Sequence, residues 1–502
     1  MRWFWSGPTA AIPSGYCIQH RDKAGDVTTT GRGQSNLPSI FCTRIFGIGV
    51  ILPAEKPPFS RFRREVPMRS PARFTLLLLL VITVTICASA AGPVFQGQTR
   101  VGFTGTNDGD QWEPSIAADS LGHVYILIPE YTNPQTPTIP GCANCPSPTM
   151  FLVTSSDNGA TWSSPRLIAD PGSGQIDVQI KVDPVDGRTV YASWLQDNKS
   201  VIAVAKSTDF GQTWSTVVAN RTNAGTDKDI LLVNGNDVYV AYDHSQTVWA
   251  SSSHDGGKTF TSVKVNPNAQ FGWSLSGGGA IDSAGNVYFS WEGYTQNGQA
   301  KGPVNIYVTK SSDGGATWTP TLLDVSSSPP DCSAFSCGWA FLGPGTAMAS
   351  DAAGQLYVLW NSGTTDKGPE RIYFSTSKDQ GNSWSLKKDV SLAPQGVDHS
   401  FPAIIAGAAG DVRIAWMDQR NPSKHWNVYY RTSSNGGSSW SGETILSSFV
   451  SGYSYIFSDG FSFPFGDYFD LAIDYQNHTQ AAWGEGLNYL TPGNVWYTRQ
   501  LR

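Results

Sequence analysis

The sequence predicts an all-β protein, a seven-bladed β-propeller built from four-stranded antiparallel blades. Three observations predict this fold: a strand-like segment that recurs seven times, a polar turn that recurs six times, and a composition typical of turn-dense β structure. The 502 residues include 52 Gly, 31 Pro and 18 Trp, and only 15% are charged. A 12% aromatic fraction and a 40% hydrophobic fraction exclude a disordered chain.

The segment that recurs seven times is a short apolar strand with aromatic residues. A turn rich in Asp, Asn and Gly precedes each copy, and another short apolar run precedes that turn, so each pair is predicted to form a β-hairpin. A third strand follows each copy. The seven copies begin at Val124, Val190, Val238, Val287, Leu356, Val412 and Thr479, and the third strands begin at Phe151, Ile202, Val248, Ile306, Ile372, Val428 and Val495.

Six of the third strands are followed by the pattern Ser-x-Asp-x-Gly-x-Thr-Trp or a close variant. The Ser and Asp oxygens can accept backbone N–H bonds across a tight turn, Gly supplies a positive φ, and the terminal aromatic packs beneath the turn. A fourth strand follows each turn. The turns occupy residues 155–162, 207–214, 253–260, 311–318, 377–384 and 433–440, with Asn435 in place of the acid in the last.

Four antiparallel strands that repeat along the chain are typical of propeller blades. The seventh copy stops after its third strand, close to Arg502, and has no aspartate turn. The extended segment 94–105 is therefore predicted to supply the missing fourth strand. This pairing would close the ring, with both ends of the mature chain in the last blade.

The first 90 residues differ in charge from the rest of the chain. They contain 11 Lys/Arg and 4 Asp/Glu, whereas the other residues contain 23 and 36. Residues 68–90 combine a basic start, an apolar run too short to span a bilayer comfortably, and Ala88-Ser89-Ala90, which is the pattern of a secretory signal peptide. We therefore expect residues 1–67 to be an upstream extension outside the mature protein and residues 91–502 to be the propeller.

Export predicts a secreted protein, extracellular or periplasmic, without a stable membrane span after cleavage; an uncleaved membrane anchor is the alternative. The acidic body excludes nucleic acid as a partner, because affinity for phosphates comes from Lys and Arg. Cys142 with Cys145, and Cys332 with Cys337, are predicted to form two local disulfides. A zinc site that uses all four cysteines is the alternative.

The Ser-x-Asp-x-Gly-x-Thr-Trp turns resemble the Asp boxes, or BNR repeats, of the sialidase superfamily, and the resemblance extends over residues 94–502. It implies a β-propeller whose Asp boxes lie on the face away from the active site. True sialidases have six blades and an Arg at the start of the first blade, where this sequence has Glu113. The segment Glu113-Pro114-Ser115-Ile116-Ala117 is similar instead to secreted bacterial BNR-repeat proteins.

The candidate site residues lie in two sets of loops that meet at one mouth of a propeller channel. Six of the seven residues that leave the second strands are acidic. They are Glu130, Asp197, Asp243, Glu292, Asn361, Asp418 and Glu485. The residues that enter the inner strands are Asp110, Glu113, Asp177, Asp227, Asp229, Trp273, Asp398, His399, Asp467 and Tyr468.

An acidic ring of this kind has the residue types of a glycosidase, because paired carboxyl groups with divergent pKa values can act as acid and as base or nucleophile. The resemblance implies a Tyr nucleophile with a Glu partner, which Tyr468 with Glu292 or Glu485 matches. Glu130 is the candidate acid/base, and Arg420 the best candidate to bind a substrate carboxylate. The other predicted substrate contacts are Asp418, Asp197, Asp243, Trp273 and His399.

The same residues also have a structural interpretation. Aspartates at strand ends cap turns, and a tryptophan near the end of a strand is typical of the core between blades. A bound Ca²⁺ would relieve the repulsion among so many carboxylates. The sequence contains no contiguous calcium-binding loop, so no cofactor and no metal site are predicted, and a bound Ca²⁺ stays open as the alternative.

Two functions of different classes fit these patterns. The first is a secreted, monomeric propeller that binds a carbohydrate or glycoconjugate at the central mouth and, as a glycoside hydrolase, cleaves it. The second is a non-catalytic extracellular scaffold for binding or assembly. The sequence leaves open whether the protein is an enzyme, which glycan it takes, and whether it would act like an exo-sialidase or on a polysaccharide. With one suitable arginine in the acidic mouth, a neutral polysaccharide fits better than sialic acid.

Overall fold

The computed structural model describes residues 92–502, with gaps at 106–108, 133–135, 267–272, 297–300, 331–341, 422–424, 448–465 and 487–492. The described residues form 28 strands in seven four-stranded sheets, and they contain no helix. No part of this described chain therefore offers a helix that could cross a membrane. The predicted all-β, seven-bladed propeller is confirmed.

The strands follow one another from the inner to the outer edge of each blade. After β1 (Thr99–Val101), blades 1 to 3 contain β2 (Asp110–Gln111), β3 (Ser115–Ala118), β4 (Val124–Tyr131) and β5 (Thr149–Ser155); β6 (Gln175–Val182), β7 (Val190–Gln196), β8 (Val201–Ser207) and β9 (Ser215–Arg221); and β10 (Thr226–Asn234), β11 (Asp237–His244), β12 (Thr247–Ser253) and β13 (Thr261–Lys264).

Blades 4 to 7 have the same order. They contain β14 (Trp273–Ile281), β15 (Val287–Tyr294), β16 (Val304–Ser311) and β17 (Thr319–Ser326); β18 (Thr346–Ser350), β19 (Leu356–Ser362), β20 (Arg371–Ser377) and β21 (Lys388–Asp389); β22 (His399–Ala406), β23 (Val412–Asn421), β24 (His425–Ser433) and β25 (Thr444–Ile445); and β26 (Asp470–Ile473), β27 (Thr479–Gly486) and β28 (Gly493–Arg499).

Blade 1 departs from this pattern at both edges. Its inner strand is interrupted, so that β2 and β3 both pair with the same edge of β4. β5 pairs with the other edge of β4, and a bridge between Leu152 and Arg166 takes the position of the outer strand.

The second strand of each blade is buried because a neighbouring blade covers each face. In β19, Tyr357 and Leu359 pack against blade 6, whereas Val358 and Trp360 pack against blade 4. This alternation is the two-residue period of a strand with a core on both sides. The five tryptophans near the ends of second strands are fully buried, as a core role requires: Trp194, Trp291, Trp360, Trp416 and Trp483.

The last blade is completed by the first described strand, as predicted. Thr99 of β1 pairs with Tyr497 of β28, and the amide of Val94 donates to the carbonyl of Arg502 at 3.1 Å. The inner strands then contact one another around the whole ring, because β26 touches both β22 and β3. A closed channel surrounded by seven inner strands follows from this pairing.

The Asp-box turns lie at the end of each blade away from the predicted mouth. In blade 1, Val124 at the start of β4 pairs with Ser155 of the turn, whereas Glu130 at the other end pairs with Thr149. Asp157 accepts the backbone N–H of Thr161 at 2.8 Å and its hydroxyl at 2.6 Å. These bonds, the hydroxyl bond first, lower the pKa of Asp157 to about 2. The box therefore acts as a rigid turn.

A glycine of an Asp box, Gly437, and a glycine of the turn between β14 and β15, Gly285, lead to a stability prediction. A Cβ at Gly437 (φ +80°) would lie 2.2 Å from Cε1 of Phe374, whereas a Cβ at Gly285 (φ +82°) would meet nothing within 4 Å. Gly285→Ala should therefore lower the free energy of unfolding only by the cost of a left-handed backbone at alanine, about 1–2 kcal/mol. Gly437→Ala should lower the free energy of unfolding by about 1–3 kcal/mol more, because the added methyl group overpacks the contact with Phe374. Thermal unfolding of the two variants measures the difference, and equal losses would contradict the proposed packing.

Candidate functional site in the central channel

A cavity of about 160 Å³ lies in the channel, and we call it the channel cavity. Its described walls come from the inner strands and adjoining loops of blades 2 to 7. The titratable and polar residues that line it are Asp177, Gln179, Lys181, Lys228, Asp229, Glu292, Tyr294, Thr346, Asp467, Tyr468 and Asp470.

One-residue bulges in the inner strands form part of this wall. The register between β6 and β7 shifts between Ile176 and Gln179, and that between β10 and β11 shifts between Asp227 and Ile230. The bulges contain Asp177 (φ +50°) and Lys228 (φ +52°), both in the left-handed region. This backbone conformation costs about 1–3 kcal/mol for a non-glycine residue and persists where the surrounding structure enforces it. Bulges beside a barrel rim re-aim side chains.

Lys228 of blade 3 crosses the channel to Asp467 of blade 7 and forms an ion pair with it. Its Nζ lies 4.8 Å from the centroid of the Tyr468 ring. The backbone N–H of Asp467 donates to Oε1 of Glu113 at 2.9 Å, so blade 1 contributes to the same cluster. Burial alone would lower the pKa of Lys228, but Asp467, Glu113 and Asp177 outweigh it and raise this pKa. The ammonium group therefore stays charged.

A second lysine neutralises part of the acidic cluster that Asp177, Asp227 and Asp243 form. Lys199 Nζ lies 2.6 Å from Asp227 Oδ1. Burial alone would raise the pKa of Asp227, but Lys199, a hydrogen bond with Asp177 and the charge of Lys228 together outweigh it, and the pKa is lowered. Burial and the charge of Asp227 raise the pKa of Asp177 to about 7. Burial, followed by Asp227, also raises the pKa of Asp243 well above its ordinary value. Some carboxyl groups of the cluster are thus ionised while others hold a proton near neutral pH.

Glu292 is the buried acid of the blade 4 wall. It is 1% exposed, and burial raises its pKa to about 7, although the Thr346 hydroxyl and the charge of Lys228 act in the opposite direction. A Cβ at Gly277 would lie 2.2 Å from Thr346 Oγ1 and 2.7 Å from Glu292 Oε1. The sequence therefore needs glycine at 277, so that the inner strands of blades 4 and 5 can meet beside the acid.

Two tyrosines complete the cavity wall. Burial, followed by the charges of Glu292, Glu370 and Asp467, raises the pKa of Tyr294 well above its ordinary value. Glu292 and Asp467 are therefore both close enough to act on the Tyr294 phenol. The hydroxyl of Tyr468 donates to the carbonyl of Val178 at 3.4 Å, and burial with several carboxylates raises its pKa as well.

Two of the predicted catalytic residues, Glu292 and Tyr468, line the channel cavity together. The other two are buried elsewhere. Glu130 is fully buried in β4, opposite Thr149. Glu485 is 2% exposed and accepts the indole N–H of Trp483 at 3.0 Å.

The predicted substrate contacts of blade 6 form a compact internal network. Asp418 accepts the indole N–H of Trp416 and the guanidinium of Arg420, both at 2.9 Å. The other end of Arg420 forms an ion pair with Glu443 at 2.5 Å. His399 is fully buried, and burial lowers its pKa to about 4, so it is neutral near pH 7. None of these residues is in the described wall of the cavity.

Three further predicted contacts lie at different places. Asp243 is 3% exposed and belongs to the acidic cluster beside Lys199. Asp197 occupies a turn, where it accepts the backbone N–H of Ser173 at 3.2 Å. Trp273 begins β14, where its backbone pairs with Tyr294.

The lysines of the site were missed by sequence reasoning. Lys181 and Lys228 both line the channel cavity, and Lys199 lies behind it. One local signal was available: Lys228 stands between Asp227 and Asp229 at the start of an inner strand. No sequence signal indicated that it reaches blade 7, since that contact spans 239 positions.

Within the described part of the chain, no group of three or more His, Cys, Asp or Glu side chains is arranged to hold a metal ion. Cys142 and Cys145 form a disulfide. Cys332 and Cys337, predicted as the second pair, lie outside the described residues.

Comparisons with known proteins agree with this architecture. A family model described as a BNR repeat-like domain matches residues 107–333. The chain is a seven-bladed β-propeller with Asp-box turns, and the part of it that the family model matches is similar to BNR-repeat domains. No curated protein matches it.

Several solved structures are similar to the chain at low sequence identity. A protein of unknown function from Dyadobacter fermentans is 13% identical, with 82% of this chain and 100% of that chain covered and a TM-score of 0.47. A polysaccharide lyase described as an ulvan lyase is 12% identical, with coverages of 79% and 95% and a TM-score of 0.44. A Hadza microbial sialidase is 13% identical, with coverages of 78% and 66% and a TM-score of 0.42.

The buried acids predict how stability depends on pH. Asp110, Asp177, Glu292 and Asp398 each have a pKa raised to about 7, chiefly by burial. The folded state therefore binds protons more tightly than the unfolded state, and the free energy of unfolding should fall as pH rises from about 4 to about 7. Each unit of pKa shift corresponds to about 1.4 kcal/mol. Urea unfolding across this range measures the slope.

Two sets of groups lower the free energy of unfolding as pH falls, and they fix the pH at which the protein is most stable. The lowered pKa values of Asp157, Asp209 and Asp313 contribute stability that is lost below about pH 4. His399, with its pKa lowered from 6.5 to about 4, also removes stability as pH falls between these two values, because the unfolded chain takes up this proton first. Stability should therefore be greatest near pH 4 to 5, and Glu292→Gln should have a shallower decline above it. A maximum at pH 7 or above would contradict this account.

Proposed function

We propose that the protein is an exported glycan-binding propeller that hydrolyses a glycosidic bond in the channel cavity. One observation carries the proposal: a single cavity contains an acid that holds its proton near neutral pH and a carboxylate paired with a lysine. Glu292 is the first group, and Asp467, in its ion pair with Lys228, is the second. Glycoside hydrolysis uses one carboxyl group as the acid and a second one as the base or nucleophile.

The residues divide the reaction as follows. Glu292 donates its proton to the glycosidic oxygen as the bond from that oxygen to the anomeric carbon breaks, so the leaving sugar departs as an alcohol. Asp467 accepts a proton from a water molecule, whose oxygen forms the new bond to the anomeric carbon. Lys228 forms an ion pair with Asp467 and so positions this carboxyl group, and Tyr294 lies close to both Glu292 and Asp467. One water molecule is consumed for each bond cleaved.

This assignment differs from sialidase-type chemistry in two respects. Neighbouring carboxylates and burial raise the pKa of Tyr468, which opposes its ionisation and hence a role as nucleophile. The described cavity wall contains two lysines and no arginine, and Arg420 is paired with Asp418 and Glu443. An arginine clamp for a substrate carboxylate therefore has no support, and we assign Tyr468 to the wall that contacts the sugar.

Export belongs to the same proposal. It is supported by the pattern of residues 68–90 and by the disulfide between Cys142 and Cys145, a bond typical of oxidising compartments. We propose that residues 1–67 are not part of the exported chain and that the propeller begins after Ala90.

The exported protein should therefore begin at Ala91, because the small residues Ala88 and Ala90 fit the cleavage site of a signal peptidase. N-terminal sequencing and intact mass of the secreted fraction measure this. Ala90→Phe should leave the precursor uncut. Wild-type protein that keeps residues 68–90 in the membrane would contradict the assignment.

The catalytic assignment is tested with fluorogenic glycosides, including a sialoside, offered to the mature chain. Glu292→Gln should lose about 10²–10⁴-fold in kcat, because an amide cannot donate the proton. Activity with 2,4-dinitrophenyl glycosides, whose leaving group needs no proton, should survive in this variant. The exposed Asp366→Asn is the control and should retain full activity.

The same panel separates the enzyme from the non-catalytic scaffold. Absence of hydrolysis with every glycoside, in wild-type protein that unfolds cooperatively, would overturn the enzymatic proposal and favour the scaffold. If Glu292→Gln leaves the rate of hydrolysis unchanged, a residue other than Glu292 must act as the acid.

A further inference from the structure

A second ion pair in the channel has no part in the reaction proposed above. Lys181 Nζ of blade 2 lies 2.9 Å from Asp470 Oδ2 of blade 7, and both residues line the channel cavity. Their side chains are 34% and 18% exposed. The pair is therefore more exposed to the channel than the wall residues Glu292 and Asp229, which are 1% and 2% exposed.

Three blades fix the position of this pair. The hydroxyl of Ser115 in blade 1 donates to the same Asp470 oxygen at 2.9 Å and accepts the backbone N–H of Ile180 at 3.1 Å. The other Asp470 oxygen accepts the N–H of Leu471 at 2.9 Å. The carboxylate is thus held from several directions, while an ammonium group offers three donors and the Lys181–Asp470 bond uses one.

The cavity that the pair lines also has apolar walls. Beyond the bulges, the inner strands contribute Leu232, Met348 and Ile404 to these walls. Within the pair, the charges of Lys181 and Asp470 cancel each other. A charged substituent would therefore lose hydration without finding a counter-charge, whereas hydroxyl groups could bond to both members of the pair.

This combination of a polar edge and an apolar face matches a sugar ring. A pyranose has C–H groups on its faces and hydroxyl groups around its edge, and adjacent hydroxyls can accept from an ammonium and donate to a carboxylate at the same time. Asp470 is three residues from Asp467, so their Cα atoms are at most roughly 11 Å apart. A short oligosaccharide could contact both.

We propose that Lys181 and Asp470 form a subsite that selects an uncharged sugar ring, with two adjacent hydroxyl groups on the ion pair and the ring face on Leu232, Met348 and Ile404. The inference rests on the proposed function, since it assigns a sugar unit next to the bond that Glu292 and Asp467 cleave. It makes the substrate class an uncharged glycan and makes Lys181 and Asp470 specificity-determining residues.

The test is binding of the mature Glu292→Gln protein to three panels of oligosaccharides that are uncharged, carboxylated or amine-bearing. Titration calorimetry should show that the uncharged oligosaccharides bind at least about tenfold more tightly than either charged class. Affinity for the best uncharged ligand should change by less than about twofold between low and high salt, because no net charge is neutralised. Preference for a carboxylated or amine-bearing panel would overturn the inference.

Single substitutions at the pair provide the sharper test. Lys181→Met leaves Asp470 without its counter-charge and should shift preference towards amine-bearing ligands. Asp470→Asn leaves Lys181 uncompensated and should shift preference towards carboxylated ligands. Each should weaken binding of the uncharged ligand about tenfold. The matched control is Lys387→Met, which removes an equally exposed lysine (34%) from its ion pair with Asp324, away from the cavity.

Kinetics in a background with Glu292 intact separates specificity from structural damage. Lys181→Met should raise KM for an oligosaccharide by a larger factor than KM for a small aryl glycoside, because the latter does not reach the subsite. Equal effects on both substrates would overturn the inference while leaving hydrolysis in place. If no glycan binds and none is cleaved, the proposed function fails and the subsite fails with it.

Discussion

The channel depends on the pairing of β1 with β28, because this antiparallel contact closes the ring of seven blades. In an open array the inner strands of blades 1 and 7, β3 and β26, would not contact each other. Closure brings together residues that are remote in the sequence: Lys181 and Asp470 are 289 positions apart and form an ion pair at 2.9 Å. The candidate site is therefore a property of the closed ring, and no single blade contains it.

Burial and ion pairing have opposite effects on the carboxyl groups inside this ring. Burial disfavours the charged form, so Glu292 and Asp177 have pKa values near 7. A nearby ammonium favours the charged form, so the pKa of Asp227 is lowered even though the residue is buried. Of the two lysines that neutralise the cluster, Lys199 lies between β7 and β8 of blade 2, and Lys228 lies in β10 of blade 3. The positions of these lysines thus decide which acids can donate protons and which can accept them.

The fold was predictable from the sequence because strand periodicity, turn chemistry and the internal repeat are local or regular signals. The site was predictable only in part. Glu292 and Tyr468 line the channel cavity. Arg420 instead forms ion pairs with Asp418 and Glu443, and Glu485 accepts a hydrogen bond from Trp483. Two features were out of reach: the one-residue bulges at Asp177 and Lys228, and lysine side chains that cross between blades. Neither has a periodic signature, and each changes which side chain faces the channel.

The central claim is that the channel holds Glu292 protonated near neutral pH. The most direct measurement is the titration of Glu292 by carbon NMR of protein labelled at the glutamate carboxyl, with Glu292→Gln to assign the resonance. The account predicts a midpoint at about pH 7 and a higher one in Lys228→Met, since removal of the ammonium takes away a charge that lowers this pKa. A midpoint near that of an ordinary exposed glutamate, unmoved by Lys228→Met, would contradict it.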